Sequence, residues 1–132
     1  MRTQRKQTRT AAKVDLSAAL AQSVIAGMIE KKGKEIVSLN FKDLKNTFCD
    51  YFIICHADSR THVESIAKSI EEEVYKLTGE EPWHKEGFEN AEWILLDYIN
   101  VVAHVFLHEA RGFYGIEKLW ADADIEKIKG DS

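Results

Sequence analysis

Several residues in this 132-residue chain are of types that could do chemistry. His104 and His108 stand four apart, a spacing that brings two imidazoles to one metal when both lie on a helix. Asp122 and Asp124 form a D-x-D pair of the kind that holds two cations near a phosphate in nucleotidyl transfer. Cys49 or Cys55 with His56 offers a thiol beside a base. Asp97 has Ile99 rather than a second acid two positions on.

None of these completes a constellation. His104 and His108 straddle a strand end and a turn, and Cys55 closes an apolar run as inert core does. Asp122 and Asp124 fall in a charged segment where a helix N-cap or a solvated turn suits them. The G-x-G-x-x-G, Walker, H-E-x-x-H and G-x-S-x-G patterns are absent. We therefore expect no catalytic residue, no cofactor and no metal, and look for a binding function.

The elements that would position these residues follow from periodicity. Leu16, Ala19, Leu20, Val24 and Met28 recur at helical spacing, with Asp15 or Ser17 as N-cap and Gly33 as stop. Val37, Leu39 and Phe41 alternate with Ser38 and Asn40 as in a half-buried strand, and Tyr51 to Cys55 reads as a central strand. Val63, Ile66, Ala67, Ile70, Val74 and Leu77 form one helical stripe between Asp58 and Gly79. Pro82 to Asn90 reads as a surface loop, followed by strands Trp93–Tyr98 and Val101–Leu107, a short helix near Glu109–Tyr114 and a charged C-terminal segment. The predicted class is α/β, a mixed sheet with helices packed against it in one domain. If the strands ending at Cys55 and starting at Trp93 are parallel, the crossover between them is right-handed.

Composition narrows the partners. The net charge of −4 divides into +5 over residues 1–13, which hold Arg2, Arg5, Lys6, Arg9 and Lys13 and no acid, and −9 over the remaining 119. An acidic body is poorly suited to nucleic acid and well suited to a basic protein. We read 1–13 as a basic, disordered tail and 14–132 as the domain. No apolar run approaches the roughly 20 residues of a membrane span. Two cysteines without C-x-x-C and without a preceding apolar h-region fit a reducing cytoplasm.

The last hairpin is the most informative segment. With Ile99-Asn100 as a two-residue turn, Tyr98 pairs with Val101 and Trp93 with Phe106. One face then carries Ile94, Leu96, Tyr98, Val101, Ala103 and Val105, which suits packing under helices. The other carries Trp93, Leu95, Asp97, Val102, His104 and Phe106. Two readings of that second face stand: an interface core of aromatics with one acid, or a second core layer with His104 hydrogen-bonded inside. Ile99 is a poor residue for positive φ, so a one-residue bulge is the competing register.

These blocks carry a family resemblance. Asp50-Tyr51-Phe52-Ile53-Ile54-Cys55, Ser59, Val63, Ile66-Ala67, Glu86-Gly87, Trp93 to Tyr98, Val101 to Phe106, Glu109 to Tyr114 and Leu119-Trp120, in this order, resemble the ribosomal silencing factor (RsfS, or Iojap) family. The resemblance implies a nucleotidyltransferase-like fold lacking the catalytic carboxylates. It also implies binding to the large ribosomal subunit through a basic protein of its intersubunit face, the fourteenth of that subunit's series, with small-subunit joining blocked and translation repressed under nutrient limitation. Family members are commonly homodimers when free. Carried over by position, Trp93, Leu95, Asp97, Tyr98, His104, Phe106 and Arg111 are the expected ribosomal-protein contacts, with Asp97 facing a basic side chain. The basic tail is not part of the family's shared pattern, and its charge alone suggests a peripheral contact to ribosomal RNA. Ile99-Asn100 departs from the family's usual Gly-Asp, and His56-Ala57 from a Gly-containing turn. The alternative from another class is a nucleotidyltransferase-like enzyme, suggested by fold alone.

Overall fold

A computed structural model describes the backbone of residues 2–44 and 47–129, and the side chains within those ranges from residue 16 onward. The elements run α1 (Arg2–Glu30), β1 (Lys34–Asn40), β2 (Tyr51–Ala57), α2 (Arg60–Thr78), β3 (His84–Glu86), β4 (Trp93–Asp97), β5 (Val101–Leu107), α3 (His108–Tyr114), α4 (Ile116–Leu119) and β6 (Asp124–Lys127). Six strands form one mixed sheet in the order β3-β4-β5-β2-β1-β6. β2 and β5, the two most apolar strands, pair in parallel at its centre, and every other pairing is antiparallel. The expected α/β class and mixed sheet are what the fold shows.

Several boundaries differ from the sequence reading. The backbone of α1 is helical from Arg2 rather than from Asp15 or Ser17. Residues 2–15 contain no Gly or Pro and are rich in Ala, Arg, Gln and Lys, so nothing local stops the helix. The side chains of the basic segment 1–13 lie outside the described ones. At the other end the left-handed residue is Lys32 (φ 59), one before the anticipated Gly33, whose amide caps back to the Met28 carbonyl at 2.7 Å.

β3, within the supposed loop, and β6, within the charged tail, are short edge strands whose residues are all exposed, so they lack the alternation by which strands are read. Asp124 therefore sits in β6 opposite Asn40, not at a helix cap. The crossover through α2 does not join parallel neighbours either. β4 is antiparallel to β5, because a tight turn connects them, and β5 takes the place beside β2.

α2 shows why the positions fall where they do. Ser59 is extended (φ −137, ψ 153) and its Oγ accepts the His62 amide, while Gly79 (φ 72) sends its amide to the Tyr75 carbonyl. The stripe Val63, Ile66, Ala67, Ile70 and Val74 is fully buried with Val24 and Met28 of α1 and Ile53, Ile94, Ala103 and Val105 of the sheet. Leu77, one turn beyond, is exposed. The opposite sheet face carries a second cluster: Val37, Leu39, Phe41, Phe52, Ile54 and Phe106, partly roofed by Ile116 and Trp120.

α1 and α2 approach closely at Gly27. A Cβ there would lie 2.6 Å from the Ile70 Cα, and Ser69 Oγ donates to the Gly27 carbonyl at 2.9 Å. Alanine would gain about 1 kcal/mol of helix propensity. Overpacking against backbone costs about 1–3 kcal/mol, and a 2.6 Å contact belongs at the upper end of that range. Gly27→Ala is thus expected to lower stability by about 1–2 kcal/mol in chemical denaturation; an unchanged or raised midpoint would show that the helices separate freely.

Candidate functional site

The hairpin has the expected register, with Trp93 opposite Phe106, Leu95 opposite His104 and Asp97 opposite Val102. Ile99 does adopt positive φ (74) without a bulge. Its amide donates to Asp97 Oδ1 at 2.7 Å, Tyr98 N–H donates to the Val101 carbonyl at 2.9 Å, and Asn100 N–H donates to the Tyr98 carbonyl at 2.9 Å. The Asn100 carbonyl in turn accepts the amides of Asp50 and Tyr51 at 2.8 and 3.2 Å, which ties the turn to the start of β2. A β-branched residue in this region is strained, and these five hydrogen bonds plus the two strands hold it there.

The two faces separate as alternation requires. Ile94, Leu96, Val101, Ala103 and Val105 are buried under α1 and α2, with Tyr98 packed at their margin. Burial pushes the Tyr98 phenol up, and its hydroxyl has no partner among the described residues. On the other face the two strands differ, and the core-layer reading applies to β5. From β5, Val102, His104 (3% exposed) and Phe106 (0%) are core. From β4, nearer the sheet edge and flanked only by the three exposed residues of β3, Trp93, Leu95 and Asp97 stay half-buried.

Phe106 is thus corrected from a surface contact to a core residue, its ring tilted against Trp93 at 5.0 Å, with Tyr114 against Trp93 at 4.8 Å. Tyr98 belongs to the helix-covered face. Arg111 is corrected too. Its guanidinium donates to both Glu117 oxygens at 2.9 and 3.0 Å, and Nη1 lies 2.9 Å from His56 Nδ1 and 3.3 Å from the Lys34 carbonyl. It staples α3 to the far end of β1 and β2, because four acceptors converge there and leave it 11% exposed.

What remains open is a groove of about 580 Å³ at the turn end of the hairpin. Leu95, Val102, Phe52 and His104 form its floor, and Asp97 is the one charged side chain among the described residues lining it. Phe48 (65% exposed), Trp83 (75%) and Ile99 (57%) form its rim. These three were not foreseen. Phe48 lies in the loop after β1 and Trp83 next to the only proline, and no periodicity marks either; large aromatics stranded in polar loops were the available signal.

The chemistry set aside from sequence has physical grounds. Burial pushes the Cys49 and Cys55 thiols up to about 12, so both stay protonated. Cys55 faces the helices and His56 the other way, as neighbours on a strand must. His56 is kept neutral first by burial and then by the Arg111 cation. His104, buried between Trp93 and Phe52, is driven down to about 3 by burial, and its Nδ1 accepts the Trp93 indole N–H at 3.1 Å. His108 stacks on His56 at 4.8 Å, away from His104. No cluster of three or more His, Cys, Asp or Glu able to hold a metal exists among the described residues, and no described helix is long and apolar enough to cross a membrane.

Residues 14–132 match the family model described as ribosomal silencing factor during starvation. A ribosomal silencing factor RsfS from Halalkalibacterium halodurans is 37% identical over 111 residues, covering 84% of this chain and 93% of that protein. A crystal structure of a Chromobacterium violaceum protein superposes with a TM-score of 0.73 at 30% identity, covering 87% of this chain and 88% of that one. A mouse protein named mitochondrial assembly of ribosomal large subunit protein 1 is 32% identical over 55% of this chain and 33% of its own length.

Two outcomes follow from the geometry. Ile99→Gly relieves the positive-φ strain and should stabilise the fold by about 1 kcal/mol, a rise of about 3–5 °C in melting temperature; a fall would show that the isoleucine side chain holds the turn. His56 and His104 are neutral in the fold and protonate near pH 6.5 when unfolded. Lowering pH through 6.5 is therefore expected to cost stability at up to about 1.4 kcal/mol per histidine per unit, continuing for His104 to about pH 3. Denaturation midpoints that stay flat between pH 7 and 5 would contradict this.

Proposed function

Since the chain belongs to the ribosomal silencing factor family, we propose that it docks on the large ribosomal subunit through a basic protein of the intersubunit face, the fourteenth of its series, and so blocks small-subunit joining. Residues 14–132 are the docking domain, acting in the cytoplasm to repress translation when nutrients are short. The basic segment 1–13 adds a peripheral contact to ribosomal RNA, and the free protein pairs with a second copy. The mouse relative, named for assembly of the ribosomal large subunit, supports that choice of subunit.

The observation that carries the reading is the groove: exposed Phe48, Trp83 and Ile99 around an apolar floor with one carboxylate. Aromatic anchors around a single acid suit a basic protein surface. Of the half-buried residues expected at the contact, Leu95 and Asp97 line the groove, and we assign the docking to them with the three rim residues. Buried His104 is part of the floor, and Phe106 is core. Arg111 acts by holding α3 in place.

Asp97 has two tasks, which substitutions can separate. Its Oδ1 holds the Ile99 amide, so Asp97→Ala loses turn and charge together, whereas Asp97→Asn keeps an acceptor and loses only the charge. Asp97→Asn should keep the wild-type melting temperature and weaken co-sedimentation with purified large subunits by about tenfold, the size of one charge-assisted contact. The reading is lost if the wild-type protein does not pellet with large subunits, or if saturating protein leaves subunit joining unchanged.

A further inference from the structure

His104, which lines the groove, carries a buried polar atom that the fold leaves unpartnered. The Trp93 indole can only donate, and its N–H points at His104 Nδ1 from 3.1 Å, so that nitrogen carries no proton. The neutral ring must then hold its proton on Nε2. This Nε2–H is buried and has no partner among the described residues, and its surroundings explain why. Phe52 presses on the ring at 4.4 Å, Phe106 lies parallel at 6.3 Å, and the cross-strand neighbours Leu95 and Ile54 are apolar. A resident water needs two to four polar partners, and this floor offers one donor.

Native cores seldom leave a donor in this condition, and one that lines an accessible groove is explained if the acceptor arrives with a ligand. Burial also keeps the ring neutral across the physiological range, so the donor is present whenever the protein is folded. Asp97, two positions along the neighbouring strand, decides which acceptor fits. A carboxylate entering the groove would be repelled by it, whereas a carbonyl or hydroxyl oxygen would not, and a nearby cation on the same partner would be attracted. Those demands together describe a loop of a basic protein rather than an acidic peptide or a phosphate.

We propose that His104 Nε2–H is a reserved hydrogen-bond donor for a carbonyl or hydroxyl oxygen of the basic ribosomal protein, delivered as an adjoining apolar side chain fills the groove between Leu95, Val102 and Phe52. The inference rests on the docking reading above and names the feature that makes the groove selective. An apolar surface patch alone would accept any hydrophobic segment. A buried donor disfavours every occupant that covers it without supplying an oxygen.

The test uses the full-length protein labelled with ¹⁵N at histidine, titrated with the isolated fourteenth protein of the large subunit. The His104 Nε2–H resonance is expected to move downfield in the complex and to exchange more slowly with solvent. His104→Phe, which keeps an aromatic ring but removes the Nε2–H donor together with the Nδ1 acceptor of the Trp93 indole, is expected to bind about tenfold more weakly. A wild-type complex in which this resonance stays in place, or a folded His104→Phe variant of undiminished affinity, overturns the inference and leaves the docking reading standing. If the variant does not fold, the wild-type resonance decides alone. Absence of any wild-type binding to the isolated protein or to large subunits overturns both.

Discussion

The turn at Ile99-Asn100 sets the register on which both faces of the sheet depend. Side chains alternate with a period of two, so a slip of one residue would turn Ile94 and Leu96 outward and bring Trp93, Leu95 and Asp97 beneath the helices. Each large apolar side chain moved from core to water costs about 1.5–3 kcal/mol, and a carboxylate under α1 and α2 costs more. Against that, the strain of one β-branched residue at φ 74 is about 1–3 kcal/mol. The correct register therefore wins by a wide margin, and the strain is carried by the Asp97 carboxylate and the amides of Asp50 and Tyr51.

The same register decides what the protein can offer to the outside. β5 lies between β4 and β2, so its side chains on the second face have neighbours on both sides and are buried. β4 has only a three-residue edge strand beyond it, so Leu95 and Asp97 keep access to solvent. Strand position, rather than residue type, separates the buried Phe106 from the half-buried Trp93 with which it pairs. The groove is the step between those two levels, widened at the turn end by Phe48, Trp83 and Ile99.

Much of this was legible in sequence because the signals were local. The apolar stripe of α2, the continuous run of β2 and the alternation of the last hairpin are consequences of burial with a fixed period, and Gly79 marks the end of α2. What was not legible depended on neighbours. β3 and β6 bury nothing and are strands only because β4 and β1 present unpaired edges. The division of the second face between core and groove needed the strand order, which no hairpin encodes by itself. Arg111 was expected at the ribosomal contact, and its inward pairing required Glu117, His56 and the Lys34 carbonyl, the last two more than fifty residues upstream, to converge. The rim was missed for the same reason, since Phe48 and Trp83 are brought to the hairpin by connections that carry no pattern.

The polar groups that first suggested chemistry are largely consumed by the structure. His56 is used by Arg111, His104 accepts from Trp93, both thiols are held protonated, and Asp124 lies on an edge strand across the sheet from the hairpin. Catalysis needs titratable groups that converge on one point with their reactive atoms free. Here the free elements are an apolar groove, one carboxylate at its side and one donor in its floor. Among the described residues these elements are suited to selecting and holding a surface, the task that the proposed docking asks of them. The charge distribution suits the proposed docking: +5 falls within the first thirteen residues and −9 on the remaining 119, a sign complementary to a basic partner.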